Sequence, residues 1–293
     1  MDILFEKTFW IIAIGTGLLG ASSGILGSFA VLKNQSLLGD AISHAALPGI
    51  VLAYLLTGEK SSFMLLSGAI VCGIIGAYFV HDIVENSRLK TDTALGIILS
   101  TFFGIGMMLL TYTQTLEDAN QAGLEKYLFG QASTLMQKDV YTMLAFLLPS
   151  LLLVFLFWKE IKLFLFDAEY GQILGLPMRK INLMITLLIV VIIVMGLQTV
   201  GVVLMSSLLL APAAAARQWT NSLSKMLMIA AIIGASSGVI GSYISATESN
   251  LPTGPVIVLL VSIIVFISLM FAPKRGLIAQ YVSNKKQQKQ LLK

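Results

Sequence analysis

One cysteine, Cys72, and two histidines, His44 and His81, make up the whole thiol and imidazole complement of this 293-residue chain. A lone cysteine excludes an intrachain disulfide and any metal site built from several thiolates of one chain. Charge is scarce too: 12% of residues are charged against 57% apolar. So little polar surface does not coat a water-soluble globule of this size, and lipid is the natural solvent. The sequence also lacks a Gly-x-x-x-x-Gly-Lys-Ser/Thr loop, which excludes ATP hydrolysis of the P-loop kind by this chain alone. It lacks a His-Glu-x-x-His zinc-protease motif as well. Any ATP energy would have to arrive through another protein, and the remaining source is an ion gradient.

What is present are apolar runs of about 18 to 25 residues, the length a helix needs to cross a hydrocarbon core of roughly 30 Å. In hydrocarbon every backbone polar group must be paired within the protein, which leaves helices or a closed barrel. Barrel strands would alternate in polarity, and these runs do not. The expected fold is therefore an all-α integral membrane protein of eight or nine spans. We place them at 8–32, 37–57, 62–84, 93–115, 139–158, 181–198, 200–217, 225–245 and 255–273. The first run is too long for the apolar core of a cleavable leader, about 7 to 15 residues, and is expected to stay as a span. The sixth and seventh runs share one stretch broken by Gly196, Gln198 and Gly201, so eight and nine spans both remain open at that point.

Lysine and arginine in short loops collect on the cytoplasmic side. Nine spans with an outside N-terminus put fifteen of the nineteen basic residues inside, leaving Lys7, Lys60, Lys126 and Lys138 outside. Merging the sixth and seventh spans would carry the lysine-rich C-terminus across the membrane, so the charge bias favours nine. The basic residues are spread over span ends rather than gathered on one face, which argues against nucleic acid as a partner. The expected organisation is a transmembrane domain over 1–282, with a cytoplasmic segment at 160–179, and a basic cytoplasmic tail at 283–293 near anionic lipid. The sequence Gly20-Ala21-Ser22-Ser23-Gly24-Ile25-Leu26-Gly27-Ser28 returns as Gly234-Ala235-Ser236-Ser237-Gly238-Val239-Ile240-Gly241-Ser242. In this topology the copies run in opposite directions, as in an inverted repeat; two close-packed helices independently rich in small residues would look the same.

Ionisable side chains deep in a span mark a site or pathway by default. Asp40 and His44 stand at i and i+4, which places them on one helix face with Cβ atoms roughly 5–6 Å apart. A carboxylate and an imidazole so spaced suit one divalent ion. Pro48 has no N–H to offer the carbonyl of His44, four residues earlier, so that oxygen becomes a third ligand or a water anchor. The competing readings are a structural pair, with Ser43 or neighbouring helices as partners, and a proton relay through His44. Ser43, Gln198 and Ser206 are further candidates to line a pathway, and Pro212 frees the carbonyl of Leu208 near them. His81 and Asp82 read as a solvated interfacial pair, and Glu248 as part of an outer loop that a delivery protein could touch.

Between the fifth and sixth spans, Phe166-Asp167-Ala168-Glu169-Tyr170-Gly171-Gln172-Ile173-Leu174-Gly175-Leu176-Pro177 reads as a short amphipathic helix. Asp167 is its N-cap, Gly175 its end, and Pro177 blocks continuation. This segment resembles the coupling loop of bacterial ABC importers. With Gly39-Asp40-Ala41-Ile42-Ser43-His44-Ala45-Ala46-Leu47-Pro48-Gly49, Val200-Gly201-Val202-Val203-Leu204 leading to Ala211-Pro212-Ala213, and Pro252-Thr253-Gly254-Pro255-Val256-Ile257-Val258-Leu259, nearly the whole chain resembles the permease subunits of bacterial manganese, zinc and iron ABC importers, the ABC-3 family.

The resemblance implies a pair of permeases, homodimeric or pseudo-symmetric, two cytoplasmic ATPase subunits, and an extracytoplasmic binding protein that delivers the ion. It implies Asp40 and His44 as metal ligands, and Asp167, Glu169, Gly171 and Gly175 as the ATPase-coupling residues. Tyr170 stands where the family usually has alanine. No permanent cofactor is implied: the metal is cargo, and ATP enters only through the partner. The Ser43 to Gly49 motif is most similar to manganese-type members, so Mn²⁺ is the first expectation, with Zn²⁺ and Fe²⁺ as alternatives. From a different class, a proton-coupled carrier using Asp40 and His44 is the alternative mechanism.

Overall fold

The computed structural model describes residues 7–58, 61–115, 130, 132, 135–247, 251–273 and 275–281. The described residues contain no strand. Their helices are α1 (Lys7–Leu32), α2 (Leu38–Thr57), α3 (Ser62–Asn86), α4 (Thr91–Gln114), α5 (Gln137–Leu156), α6 (Trp158–Phe166), α7 (Ala168–Ile173), α8 (Met178–Leu197), α9 (Val202–Trp219), α10 (Leu223–Thr247) and α11 (Thr253–Phe271). All but α6 and α7 run for 18 to 26 residues, and even 18 residues rise about 27 Å. Eight of these nine long helices are apolar enough to cross a membrane. The ninth, α9, is diluted by Ser206, Ser207 and Arg217.

Side-chain contacts give the helices a direction. Thr16 of α1 hydrogen-bonds Ser242 of α10 at 2.8 Å, and Lys33, just past α1, donates to Asn182 near the start of α8 at 2.6 Å. Ser62 at the start of α3 meets Asp139 at the start of α5. Trp219, ending α9, donates to Ser268 near the end of α11. These pairs set α1 antiparallel to α8 and α10, α3 parallel to α5, and α9 parallel to α11. The bundle thus holds nine long helices, eight of them apolar enough to cross a membrane, with α6 and α7 lying at the end of the bundle where Lys33 sits.

The doubtful sixth and seventh runs are two helices. Thr199 and Val200 both donate their backbone N–H to the Gly196 carbonyl, and Gly201 at φ +88° turns the chain into α9, a conformation that costs glycine little and other residues more.

The two copies of the small-residue motif pack on each other. A Cβ added at Gly20 would collide with the carbonyl of Gly234 and the reverse holds equally; one step along, Gly24 abuts Ala230 and Gly238 abuts Thr16. The copies are antiparallel, as an inverted repeat requires, and a local two-fold axis passes between Gly20 and Gly234. Lipid offers no hydrophobic drive for this pairing, so close backbone approach supplies the attraction through dispersion. On the outer surface the pattern inverts that of a soluble protein: Phe155, Met228 and Phe266 stand largely exposed, as lipid-facing side chains do. Among the eight apolar spans α2 is the most enclosed and α11 the least, which puts Asp40 and His44 on the most protected helix.

Candidate functional site

Helix α2 is held on three sides. Gly49 and Gly68 bring α2 and α3 into backbone contact, Gly106 of α4 receives Leu47 and Pro48, and Gly39 sits against Ser206 and Leu209 of α9. The face carrying Asp40 and His44 remains half open, and Leu37, Leu52 and Leu56 are exposed along the same helix. His44 stacks edge-to-face on Phe103 with ring centroids 4.7 Å apart. Phe103 lies twelve residues into α4, roughly 18 Å from its start at 1.5 Å per residue. Ala45, next to His44, touches Gly76, fourteen residues or roughly 21 Å into α3 from the opposite end. His44 is therefore near mid-membrane, with Asp40 one turn toward the Lys33 end.

The two side chains do not satisfy each other: the ion pairs among the described residues are His81–Glu85 and Arg179–Glu85. The Nδ1 atom of His44 is buried without a hydrogen-bond partner, an arrangement that costs free energy unless something outside this chain binds it. Among the described residues no group of three or more His, Cys, Asp or Glu side chains converges on one point.

The other candidates divide. Ser206 is half-buried and brought beside Gly39, adjacent to Asp40. Ser43 is fully buried and its hydroxyl donates to the Gly39 carbonyl at 2.7 Å. Gln198 sits half-buried in the α8–α9 turn, before the start of α9, which carries Ser206. His81 pairs with Glu85 at 3.0 Å and Asp82 with Asn86, each one turn along α3 rather than with each other. Glu248 and the 283–293 tail lie outside the described residues.

The segment between α5 and α8 folds as local rules dictate. The Asp167 carboxylate accepts the Tyr170 backbone N–H at 2.9 Å and caps α7. At the other end Leu176 N–H bonds to Gly171 C=O and Gly175 N–H to Gln172 C=O, with Gly175 left-handed at φ +78°, which is the Schellman ending. Gly171 is buried directly against Met178 of α8. Phe166, Tyr170, Ile173 and Leu174 are exposed beside Asp167 and Glu169, an apolar and acidic surface at the Lys33 end of the bundle.

Sequence reasoning missed two residues here. Phe103, which walls His44, is one of fifteen phenylalanines and carries no signal of its own. Lys33 was counted as a loop charge; it instead reaches into a cavity of about 320 Å³ with Gln35, His81 and Thr186 on the α3 side of α2. There it lies over the Phe164 ring, and burial pushes its ammonium down to about 8.

The chain matches the model of the ABC 3 transport family over residues 6–272. It is 48% identical to the zinc transport system membrane protein TroC of Treponema pallidum, over 96% of this chain and 94% of that one. It is 45% identical to the manganese transport system membrane protein MntC of Bacillus subtilis, over 96% of this chain and 65% of the relative. Its fold superposes on PsaBC from Streptococcus pneumoniae, solved in complex with Fab, with a TM-score of 0.83 at 30% identity and 97% coverage of both chains. A match across nearly all of the nine-helix bundle, with the Asp40–His44 helix at its centre, places this chain in the ABC 3 transport family.

Proposed function

We propose that this chain is the permease subunit of an ABC importer in the cell membrane that carries a divalent transition-metal ion, Mn²⁺ first and Zn²⁺ next, into the cytoplasm. The observation that carries the reading is the half-open Asp40–His44 face at mid-membrane, with an imidazole nitrogen that none of the described residues satisfies. A carboxylate oxygen and an imidazole nitrogen suit borderline divalent ions, and the choice among them rests on geometry and availability more than on raw affinity.

Two ligands do not complete a coordination sphere. A second copy facing the first across a two-fold axis doubles them to two carboxylates and two imidazoles, and the open stripe of α2 is the surface through which the copies face each other. Metal reaches this point from an extracytoplasmic binding protein. The orientation follows from charge: Lys33, Arg179, Lys180, Arg217, Lys225 and Arg275 share one end of the bundle, which is the cytoplasmic end, and the N-terminus is outside. At that end α7 and its flanks present Phe166, Tyr170, Ile173 and Leu174 to a cytoplasmic ATPase dimer, and Asp167, Glu169, Gly171 and Gly175 keep the shape of the segment. Hydrolysis in the partner tilts α7, and Gly171 against Met178 transmits the tilt to α8.

Reconstitution tests the scheme. Proteoliposomes holding this chain with its ATPase and binding protein take up Mn²⁺ only with ATP inside reach of the ATPase. Uptake by this chain alone, driven by a proton gradient, would instead establish Asp40 and His44 as a proton relay.

A further inference from the structure

At the cation-rich end, α9, α10 and α11 leave a groove of about 420 Å³ lined by Trp219, Ile229, Ile233, Ile264, Ile267 and Ser268. Its one hydroxyl, Ser268, is already taken by the Trp219 indole N–H at 3.0 Å, so the lining is apolar in effect. Three cations belong to the same end of these three helices. Arg217 precedes Trp219 by two residues on α9. Lys225 lies four and eight residues before Ile229 and Ile233, on the same face of α10. Arg275 follows α11 and is steadied by donating to Asn221 Oδ1 at 2.8 Å. Arg217 and Arg275 are near enough for their charges to repel.

Among the described residues no carboxylate pairs with them. Ion pairs among the described residues involve only Glu85. After Glu169 the sequence holds a single acidic residue, Glu248, which lies outside the described residues. An apolar groove open to hydrocarbon, topped by like charges without counterions, has the polarity of a phospholipid turned inside out. A zwitterionic headgroup would bring its own cation into the Arg217–Arg275 repulsion, whereas an anionic one relieves it.

We propose that this groove is a binding site for an anionic phospholipid of the leaflet at that end, with an acyl chain along Ile229, Ile233, Ile264 and Ile267 and the headgroup phosphate held by Arg217, Lys225 and Arg275. That leaflet is the cytoplasmic one in the orientation given above; the site itself does not depend on the orientation.

The full chain in nanodiscs of one part phosphatidylglycerol to four parts phosphatidylcholine, with native mass spectrometry of the lipid that stays bound, tests this. The wild type retains phosphatidylglycerol in preference to phosphatidylcholine. Each cation near an anionic surface is worth about fivefold, so Arg217→Gln with Arg275→Gln lowers that preference about twenty-five-fold. Ile233→Trp, which fills the groove and keeps every cation, lowers it as well, and Ile267→Trp serves if the first does not fold. Lys162→Gln, a cation at the same end on α6, leaves it unchanged. No preference in the wild type would overturn the proposal. So would full retention by the groove-filled variants, which would mean surface attraction alone, or crosslinking of Ile233→Cys between two copies, which would mean that the second copy covers the groove.

Discussion

Gly20→Ala adds one methyl where the carbonyl of Gly234 already stands. The obstacle is backbone, so no rotamer change clears it, and α1 and α10 must part. Overpacking of this kind costs roughly 1–3 kcal/mol, while alanine in place of glycine returns about 1 kcal/mol of helix propensity. The net loss is then about 0–2 kcal/mol. The same exchange at Gly96 or Gly104, where an added Cβ meets nothing, keeps the propensity gain and is neutral to about 1 kcal/mol stabilising. The contrast between interface and control is thus on the order of 1–3 kcal/mol, readable by reversible unfolding in mixed micelles with increasing dodecyl sulfate. Because one separation of the helices relieves both clashes, Gly20→Ala with Gly234→Ala costs less than the two single changes together. If Gly20→Ala proves as harmless as Gly96→Ala, the close pairing of the two motif copies is refuted.

Gly175→Ala forces a left-handed conformation on a residue with a Cβ, at a cost of about 1–2 kcal/mol, and Asp167→Ala removes a cap worth about 0.5–2 kcal/mol. Both lower the metal taken up per ATP hydrolysed by the assembled importer while metal binding stays near wild type; unchanged coupling in both would remove α7 from that role. Ile173→Asp puts a charge on the most exposed apolar side chain of α7, and co-purification with the ATPase should fall at least tenfold. Lys33 titrates near 8 in the fold against 10.5 unfolded, so between those values the unfolded chain binds more protons and stability rises with pH. In detergent the melting temperature of the wild type should climb across about pH 8 to 10.5, and Lys33→Met should lack that part of the climb. Equal slopes would mean that Lys33 is solvated.

Much of this was legible in the sequence because the rules involved are local. Apolar run length located the crossings, and the nine helices begin and end close to where those runs do. Asp167, Gly175 and Pro177 announced both ends of α7, since capping depends on a few neighbouring residues. Other features depended on what lies across the bundle. Ser43 is three residues from Asp40, within one turn of it, yet α3, α4 and α9 enclose its side of α2 and its hydroxyl turns back to Gly39. Lys33 looked like any loop cation until Asn182 and Phe164, more than a hundred residues away, were brought beside it. The repeated Gly-Ala-Ser-Ser-Gly motif could not reveal from sequence that its copies touch, because small residues suit any close helix pair.

The central claim is that Asp40 and His44 form the mid-membrane resting place of the transported ion. The most direct test is uptake of radioactive Mn²⁺ into proteoliposomes that contain the complete importer, with Asp40→Asn and His44→Gln compared singly against the wild type. These near-isosteric changes preserve packing, so assembly and basal ATP hydrolysis should persist while uptake falls to the level seen without ATP. Uptake at the wild-type rate by both variants would contradict the account.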